Sequence, residues 1–203
     1  MKRVAIVHHS AHGHTEHIAR QIRAGCDEVN GVVATLLRAE ELAANPAPLS
    51  DFDGIVLGSP TYLGGVSGPF KCFMDATGGM WRRQSLKGKL AAGFTVSSLP
   101  AGDKQSTLLS LFVFSMQHGM LWIGNPILPE QHLGVPYDEA ANRLGSWSGL
   151  MAQADHASPA DAFAPGDAKT ARLFGQNFAH ALLRLSAERR SLTAVADSAE
   201  VSE

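Results

Sequence analysis

At 203 residues, 45% hydrophobic and 18% charged, the chain can bury a core of its own, and its apolar fraction excludes a disordered polypeptide. Seventeen Lys and Arg against nineteen Asp and Glu leave a formal charge of −2. That balance argues against a dedicated nucleic-acid binder, which would carry a basic excess, and against a strongly acidic docking protein.

In chain order, Met1-Lys2-Arg3 has the charge of a signal-peptide start, but the apolar run behind it, Val4 to Val7, stops at His8 and His9 without a cleavage pattern. Val4–Val7 instead has the continuous apolar character of a buried parallel strand. Ser10 to Thr15 reads as a loop. From His14 onward Ile18, Ile22, Cys26 and Val29 recur at helical spacing. Val32–Leu37 is a second strand, Asn45-Pro46-Ala47-Pro48 a break, and Gly54–Leu57 a third strand ending at Gly58. Pro60 to Gly68 reads as a glycine-rich loop and Phe70–Thr77 as a helix. Leu90–Val96 is the fourth strand, Ser97–Lys104 a loop, Gln105–His118 a helix and Met120–Ile123 the fifth strand.

A weakly patterned excursion over residues 125–166 follows, then a helix from Asp167 with Phe174, Phe178, Leu182 and Leu185 on one face. A flexible tail is expected over residues 191–203, leaving one domain over residues 1–190. The stretch Leu108–Met116 is interrupted by Ser110 and Ser115 and is far short of a membrane span. Two cysteines, Cys26 and Cys72, are too few for a disulfide framework and suit a reducing, cytoplasmic compartment. Alternation of strands and helices implies an α/β doubly wound sandwich, a five-stranded parallel sheet with helices on both faces. Ligands of such sheets bind beyond the carboxyl ends of the strands. The loops to inspect are therefore Ser10–Thr15, Ser59–Gly68 and Ser97–Lys104.

The first loop can hold a phosphate through helix-start amides and the Ser10 and Thr15 hydroxyls, with Gly13 letting the backbone curl. It lacks the lysine of a Walker A loop and the Gly-x-Gly-x-x-Gly dinucleotide fingerprint. The alternative is an ordinary capped turn between strand and helix. Five histidines, His8, His9, His12, His14 and His17, crowd this region. Their spacing argues against a metal site, since His8 and His9 project to opposite faces of a strand and neither cysteine is near in sequence. No metal is expected.

The second loop carries a wider pattern. Gly58-Ser59-Pro60-Thr61-Tyr62-Leu63-Gly64-Gly65-Val66-Ser67-Gly68, followed by Phe70-Lys71-Cys72-Phe73-Met74-Asp75, resembles the flavodoxin-like NAD(P)H:quinone oxidoreductases and FMN reductases, most closely the WrbA-like branch. Ala76-Thr77-Gly78-Gly79-Met80-Trp81, Gly88-Lys89-Leu90-Ala91 and His118-Gly119-Met120 continue the likeness in the same order, over about residues 2–124. The resemblance implies a flavodoxin-like fold and non-covalent FMN. Ser10, His12, Gly13, His14 and Thr15 would hold the phosphate. Pro60, Thr61, Tyr62 and Gly64 would line the edge of the ring, with Ser97 and Ser98 opening the other ring-side loop. Trp81 and His118 match positions lining the substrate cavity, often contributed by a neighbouring subunit, and His118 is a candidate for proton delivery. Taken alone, Trp81 would read as packing and His118 as a helix-end histidine.

Two departures stand out. The third loop, Ser97-Ser98-Leu99-Pro100-Ala101-Gly102-Asp103-Lys104, replaces one rich in glycine and threonine, and Tyr62 stands where the WrbA-like branch usually has arginine. The function implied is electron transfer from NAD(P)H through FMN to a quinone or similar small acceptor, in ping-pong order. The alternatives are a flavodoxin-type electron carrier and an FMN-bound interaction or sensor protein. A receiver domain is excluded by His8, His9 and Ser59 where it needs acids. A tyrosine phosphatase is excluded by the lack of Cys-x5-Arg, and a hydrolase elbow by Trp147 at the centre of Gly145–Gly149. The apolar character of Leu108–Met116 on nearly all sides leaves either burial under the excursion or a homodimer or homotetramer interface.

Overall fold

Val4, Ala5, Ile6 and Val7 are all fully buried, and they divide between two separate apolar clusters. Val4 and Ile6 pack with Ile18, Ile22, Phe174 and Phe178 on one face, while Ala5 and Val7 pack with Phe70, Phe73, Leu108 and Leu111 on the other. Successive strand side chains point to opposite faces, so a strand apolar at every position needs helices on both sides.

The computed structural model describes the backbone of residues 1–200 and the side chains of residues 1–187. The first half contains β1 (Lys2–His8), α1 (His14–Asp27), β2 (Val32–Arg38), α2 (Ala39–Ala44), β3 (Gly54–Tyr62), β4 (Gly65–Val66), α3 (Gly68–Ala76) and α4 (Gly78–Arg82). The second contains β5 (Leu90–Ser97), α5 (Lys104–Gln117), β6 (Leu121–Trp122), β7 (Leu150–Gln153) and α6 (Pro165–Glu200). The strand order is β2-β1-β3-β5-β6, with parallel pairing throughout this path. It is the doubly wound order of flavodoxin-like sheets.

Two expectations need correction. First, β3 does not end at Gly58 but runs on to Tyr62 and turns through Leu63-Gly64 into β4. Pro60 is tolerated inside it because β1 stops pairing at Gly58 and β4 pairs only from Thr61, so at Pro60 itself only β5 lies alongside, through Val96. A proline in a strand has no amide to give, so it needs such an unpaired side. Second, the fifth strand is split. β6 lies beside Leu90 and Ala91, whereas β7 lies beside Phe94 to Ser97, and residues 123–149 loop out between the two halves. The excursion therefore contains half of the edge strand. The α6 backbone is helical to Glu200, over part of residues 191–203, where the sequence led us to expect a flexible tail. Side chains from residue 188 and the whole of residues 201–203 lie outside the described set.

Contact between α1 and α6 is close because glycines face backbone on both helices. A Cβ on Gly25 would stand 1.9 Å from the Arg172 carbonyl oxygen, and one on Gly175 would stand 2.1 Å from that of Ile22. The Cys26 thiol donates to the Gly175 carbonyl across the same crossing at 3.3 Å. This contact fixes α1, and with it the loop at the carboxyl end of β1. Among the described residues no helix is long and apolar enough to cross a membrane.

Candidate functional site

α1 begins without a side-chain cap. Its N-cap is Gly13, at φ 85° in the left-handed region, where a side chain is disfavoured. Helix geometry leaves the first-turn amides without carbonyl partners, and their dipoles add to a positive potential there. Beside them the Ser10 hydroxyl is buried and has no hydrogen-bond partner. A buried hydroxyl without a partner costs free energy unless a ligand or water satisfies it.

The far end of the chain covers this loop. Ala154 bridges to Phe163, and the Asp155 amide donates to the Ala162 carbonyl at 2.9 Å, closing a turn over residues 155–162. His14 Nε2–H donates to the Ala157 carbonyl at 3.0 Å, and the His17 ring stacks on Phe163 with centroids 5.2 Å apart. Pro159 lies against Gly13.

The ring-side walls come from the carboxyl ends of β3 and β5. Thr61 Oγ1 lies 2.7 Å from Thr95 Oγ1 and 2.8 Å from Thr107 Oγ1, so this hydroxyl ties β3, β5 and α5 together. Tyr62 is half exposed. The turn after it uses positive φ at both Leu63 (46°) and Gly64 (80°), as a two-residue hairpin with the right-handed strand twist requires.

Together these loops enclose an open cavity of about 240 Å3. Of the residues expected from the sequence, Ser10, His12, His14, Thr15, Pro60, Thr61, Tyr62, Ser97 and Ser98 line it. Gly13 and Gly64 shape the loops without lining the cavity. Sequence reasoning missed Ala154, Asp155 and His156, which form a further wall. They follow β7, a four-residue strand with no periodicity to announce it. Among the described residues no lysine or arginine lines the cavity, so an anion there relies on amides, hydroxyls and imidazoles. FMN fits this donor set. Its phosphate matches the uncapped helix start and the Ser10 hydroxyl, and its flat ring matches the apolar and hydroxylic walls of Pro60, Tyr62 and Val96.

Trp81 and His118 lie elsewhere. They border a second groove of about 710 Å3 between α3, α4 and α5, which shares no residue with the first cavity. Within one chain the structure does not bring them to the other candidates. His118 is buried against Phe114, with ring centroids 4.6 Å apart, and burial lowers its pKa. The Thr77 hydroxyl donates to the Met74 carbonyl at 2.6 Å and so accepts from His118 Nε2–H at 3.0 Å. Nδ1 of the neutral ring is left buried and unpartnered.

The histidine cluster disperses in the fold. Burial lowers the pKa of His8, whose two ring nitrogens have no partner, while His9 Nδ1–H donates to Glu40 at 2.7 Å. Among the described residues no group of three His, Cys, Asp or Glu side chains is placed to hold a metal.

Comparison with known proteins agrees with this geometry. The model of a family described as NADPH-dependent FMN reductase matches residues 39–132. An NAD(P)H dehydrogenase (quinone) from Archaeoglobus fulgidus is 33% identical over 164 residues, covering 70% of this chain and 86% of that protein. Among solved structures, the flavodoxin, WrbA-like protein from Agrobacterium tumefaciens superposes with a TM-score of 0.68 at 30% identity, covering 91% of this chain and 99% of that one. Oxidised flavodoxin 2 from Bacillus cereus superposes with a TM-score of 0.58 at 22% identity, covering 88% and 98%, a likeness of fold.

Proposed function

The chain belongs to the flavodoxin-like NAD(P)H:quinone oxidoreductase and FMN reductase family, and we propose that it transfers electrons from NAD(P)H to a quinone or similar small acceptor, using FMN held in the cavity at the carboxyl ends of β1, β3 and β5. The observation that carries this reading is the unpartnered Ser10 hydroxyl beside the uncapped start of α1, opposite the Pro60–Tyr62 wall.

Bound FMN supplies the redox chemistry. The residues of the chain place it. The first-turn amides of α1 with Ser10 and Thr15 bind the phosphate, and His12 and His14 border it. Pro60, Thr61 and Tyr62 line one edge of the ring while Ser97 and Ser98 approach the other. One open cavity that admitted donor and acceptor in turn would give ping-pong order. His118 delivers a proton to the acceptor, and Trp81 shapes the acceptor cavity, only where the second groove of one copy meets the cavity of another.

That condition favours a homodimer or homotetramer. On α5, Leu109, Phe112, Val113 and Met116 are between 37% and 54% exposed, and Trp81 nearby is 48% exposed. A contiguous apolar face of this kind needs a cover. We assign residues 1–190 to one FMN-binding domain. The free thiols Cys26 and Cys72 support a cytoplasmic location.

A steady-state assay tests the reading. Purified protein with FMN should oxidise NADH or NADPH when a small quinone is present, and protein stripped of FMN should not. Quinone-dependent oxidation that is absent with both nucleotides, in FMN-loaded protein, would overturn it.

A further inference from the structure

Lys104 is fully buried, the only lysine among the described residues in that position. No carboxylate accepts its hydrogen bonds. Its ammonium donates instead to two consecutive carbonyls of the divergent third loop, those of Leu99 and of Pro100, the latter at 3.3 Å. The carbonyl before them is captured as well, since Gln153 Nε2 donates to the Ser98 oxygen at 3.1 Å. Behind both donors stands a buried ion pair. Arg143 Nε and Nη2 donate to the two Asp167 oxygens at 2.9 Å each, and the Gln153 amide donates to the same carboxylate at 3.0 Å.

The geometry of the peptide unit gives this capture a consequence. In a trans peptide the N–H points opposite to the C=O of the same unit. With the Ser98 and Pro100 carbonyls drawn inward, the N–H groups of Leu99 and Ala101 turn outward, away from the buried cluster. Neither has a protein acceptor among the described residues. The unit between them ends in Pro100 and has no N–H to turn. The loop begins at Ser97 and Ser98, which line the FMN cavity. It is also tightly wound, with Gly102 and Asp103 at φ 50° and 52°. Such a loop needs a clamp to hold one conformation.

We propose that Lys104 is a positioning residue for FMN binding, which holds the third loop so that Ser97 and Ser98, where the loop enters the cavity wall, keep their place beside the ring. This rests on the cavity being the FMN site. Lys104 touches neither cofactor nor substrate, and acts through the backbone of residues 98–101. The groups facing it are Asp167 from α6 and Arg143 from the excursion, while Asp103 beside it in sequence is exposed. Burial outweighs the attraction of Asp167 and pushes the Lys104 pKa down to about 8. The charge-assisted part of the clamp is therefore lost just above neutrality, although the neutral amine still donates.

The Lys104→Met variant separates positioning from folding. It removes a buried charge at similar volume, so the FMN-free protein should unfold at the same urea concentration as the parent or a higher one. The Pro100 carbonyl loses its donor and the Leu99 carbonyl keeps only the Ser97 hydroxyl at 3.4 Å, so the Kd for FMN, read by quenching of flavin fluorescence at pH 7, should rise about tenfold. In the parent protein the Kd should rise between pH 7 and pH 9.5, and in the variant it should change less. Equal FMN affinity in parent and variant, or a parent pH profile no steeper than that of the variant, would overturn the assignment. If the variant does not fold, the parent profile decides: a Kd that is flat from pH 7 to pH 9.5 contradicts the clamp. A parent protein that takes up no FMN at any pH contradicts the function proposed for the cavity, a different failure.

Discussion

Pro159 lies directly against Gly13: a Cβ at position 13 would stand 2.7 Å from the Pro159 Cγ, well inside van der Waals contact. Two segments 146 positions apart in the chain thus close on each other at the start of α1 (159 − 13 = 146). The Gly13→Ala variant meets both this contact and a left-handed φ of 85°. It should lose about 1–2 kcal/mol of stability from the backbone alone. FMN affinity should fall with it, because residues 154–156 and the α1 start share one cavity. Urea unfolding with and without FMN measures both effects.

Ser10 provides the opposite case. Its hydroxyl has no partner in the protein, so Ser10→Ala removes a buried polar group that the unliganded fold leaves unsatisfied. The FMN-free variant should match the parent in urea or exceed it slightly. FMN affinity should drop by about 0.5–1.5 kcal/mol, the usual net worth of one hydrogen bond. A variant that loses stability without FMN and keeps full affinity would show that the hydroxyl serves folding instead.

The Arg143–Asp167 pair is buried on both sides, with side chains 5% and 2% exposed. Removing one partner leaves the other charge buried, typically at a cost of about 3–5 kcal/mol, softened for Arg143 by the exposed Asp138 carboxylate 3.6 Å from its Nη1. Asp167→Ala should show a loss of that order in urea unfolding. It should also loosen β7, because Asp167 accepts from the Gln153 amide. Hydrogen exchange at residues 150–153 would report that loosening directly.

Stability should depend on pH through Lys104 and Cys26 in opposite directions. The folded pKa of Lys104, about 8, lies below that of the unfolded chain, so between pH 8 and about 10.5 the unfolded state binds more protons. Stability therefore rises with pH across that window. Burial raises the Cys26 thiol to about 12, so above about pH 9 its contribution falls as pH rises. Urea midpoints from pH 7 to pH 10 should climb more steeply in the parent than in Lys104→Met, with the Cys26 effect common to both.

The apolar face of α5 should be an interface between copies of this chain. Val113→Asp places a charge at a 45% exposed position and should leave the fold intact. Sedimentation should then show a smaller species than the parent, with FMN binding in each copy retained. A parent already monomeric at micromolar concentration would remove the interface.

Much of the fold was legible because β1, β3 and β5 are apolar at successive positions, a pattern that demands cover on both faces. The first loop was legible from Ser10, Gly13 and Thr15, since their chemistry is local. The wall of Ala154, Asp155 and His156 was not, because its place depends on β7, four residues whose partner is β5, 56 positions earlier (Leu150 beside Phe94, 150 − 94 = 56). Nor was the environment of Lys104, which in the sequence closes the Ser97–Lys104 loop like any polar residue and only in the fold is buried against the Leu99 and Pro100 carbonyls. The run past Gly58 was misread as loop because Pro60 breaks most strands, and only the early end of β1 explains its tolerance.

The most direct measurement is the visible spectrum of FMN-loaded protein under anaerobic titration with NADH and then NADPH. Stoichiometric uptake of FMN, followed by bleaching of its absorbance by at least one nucleotide and recovery on adding a quinone, is the expected result. A protein that cannot take up FMN, or whose bound FMN keeps its colour with both nucleotides, would contradict the central claim.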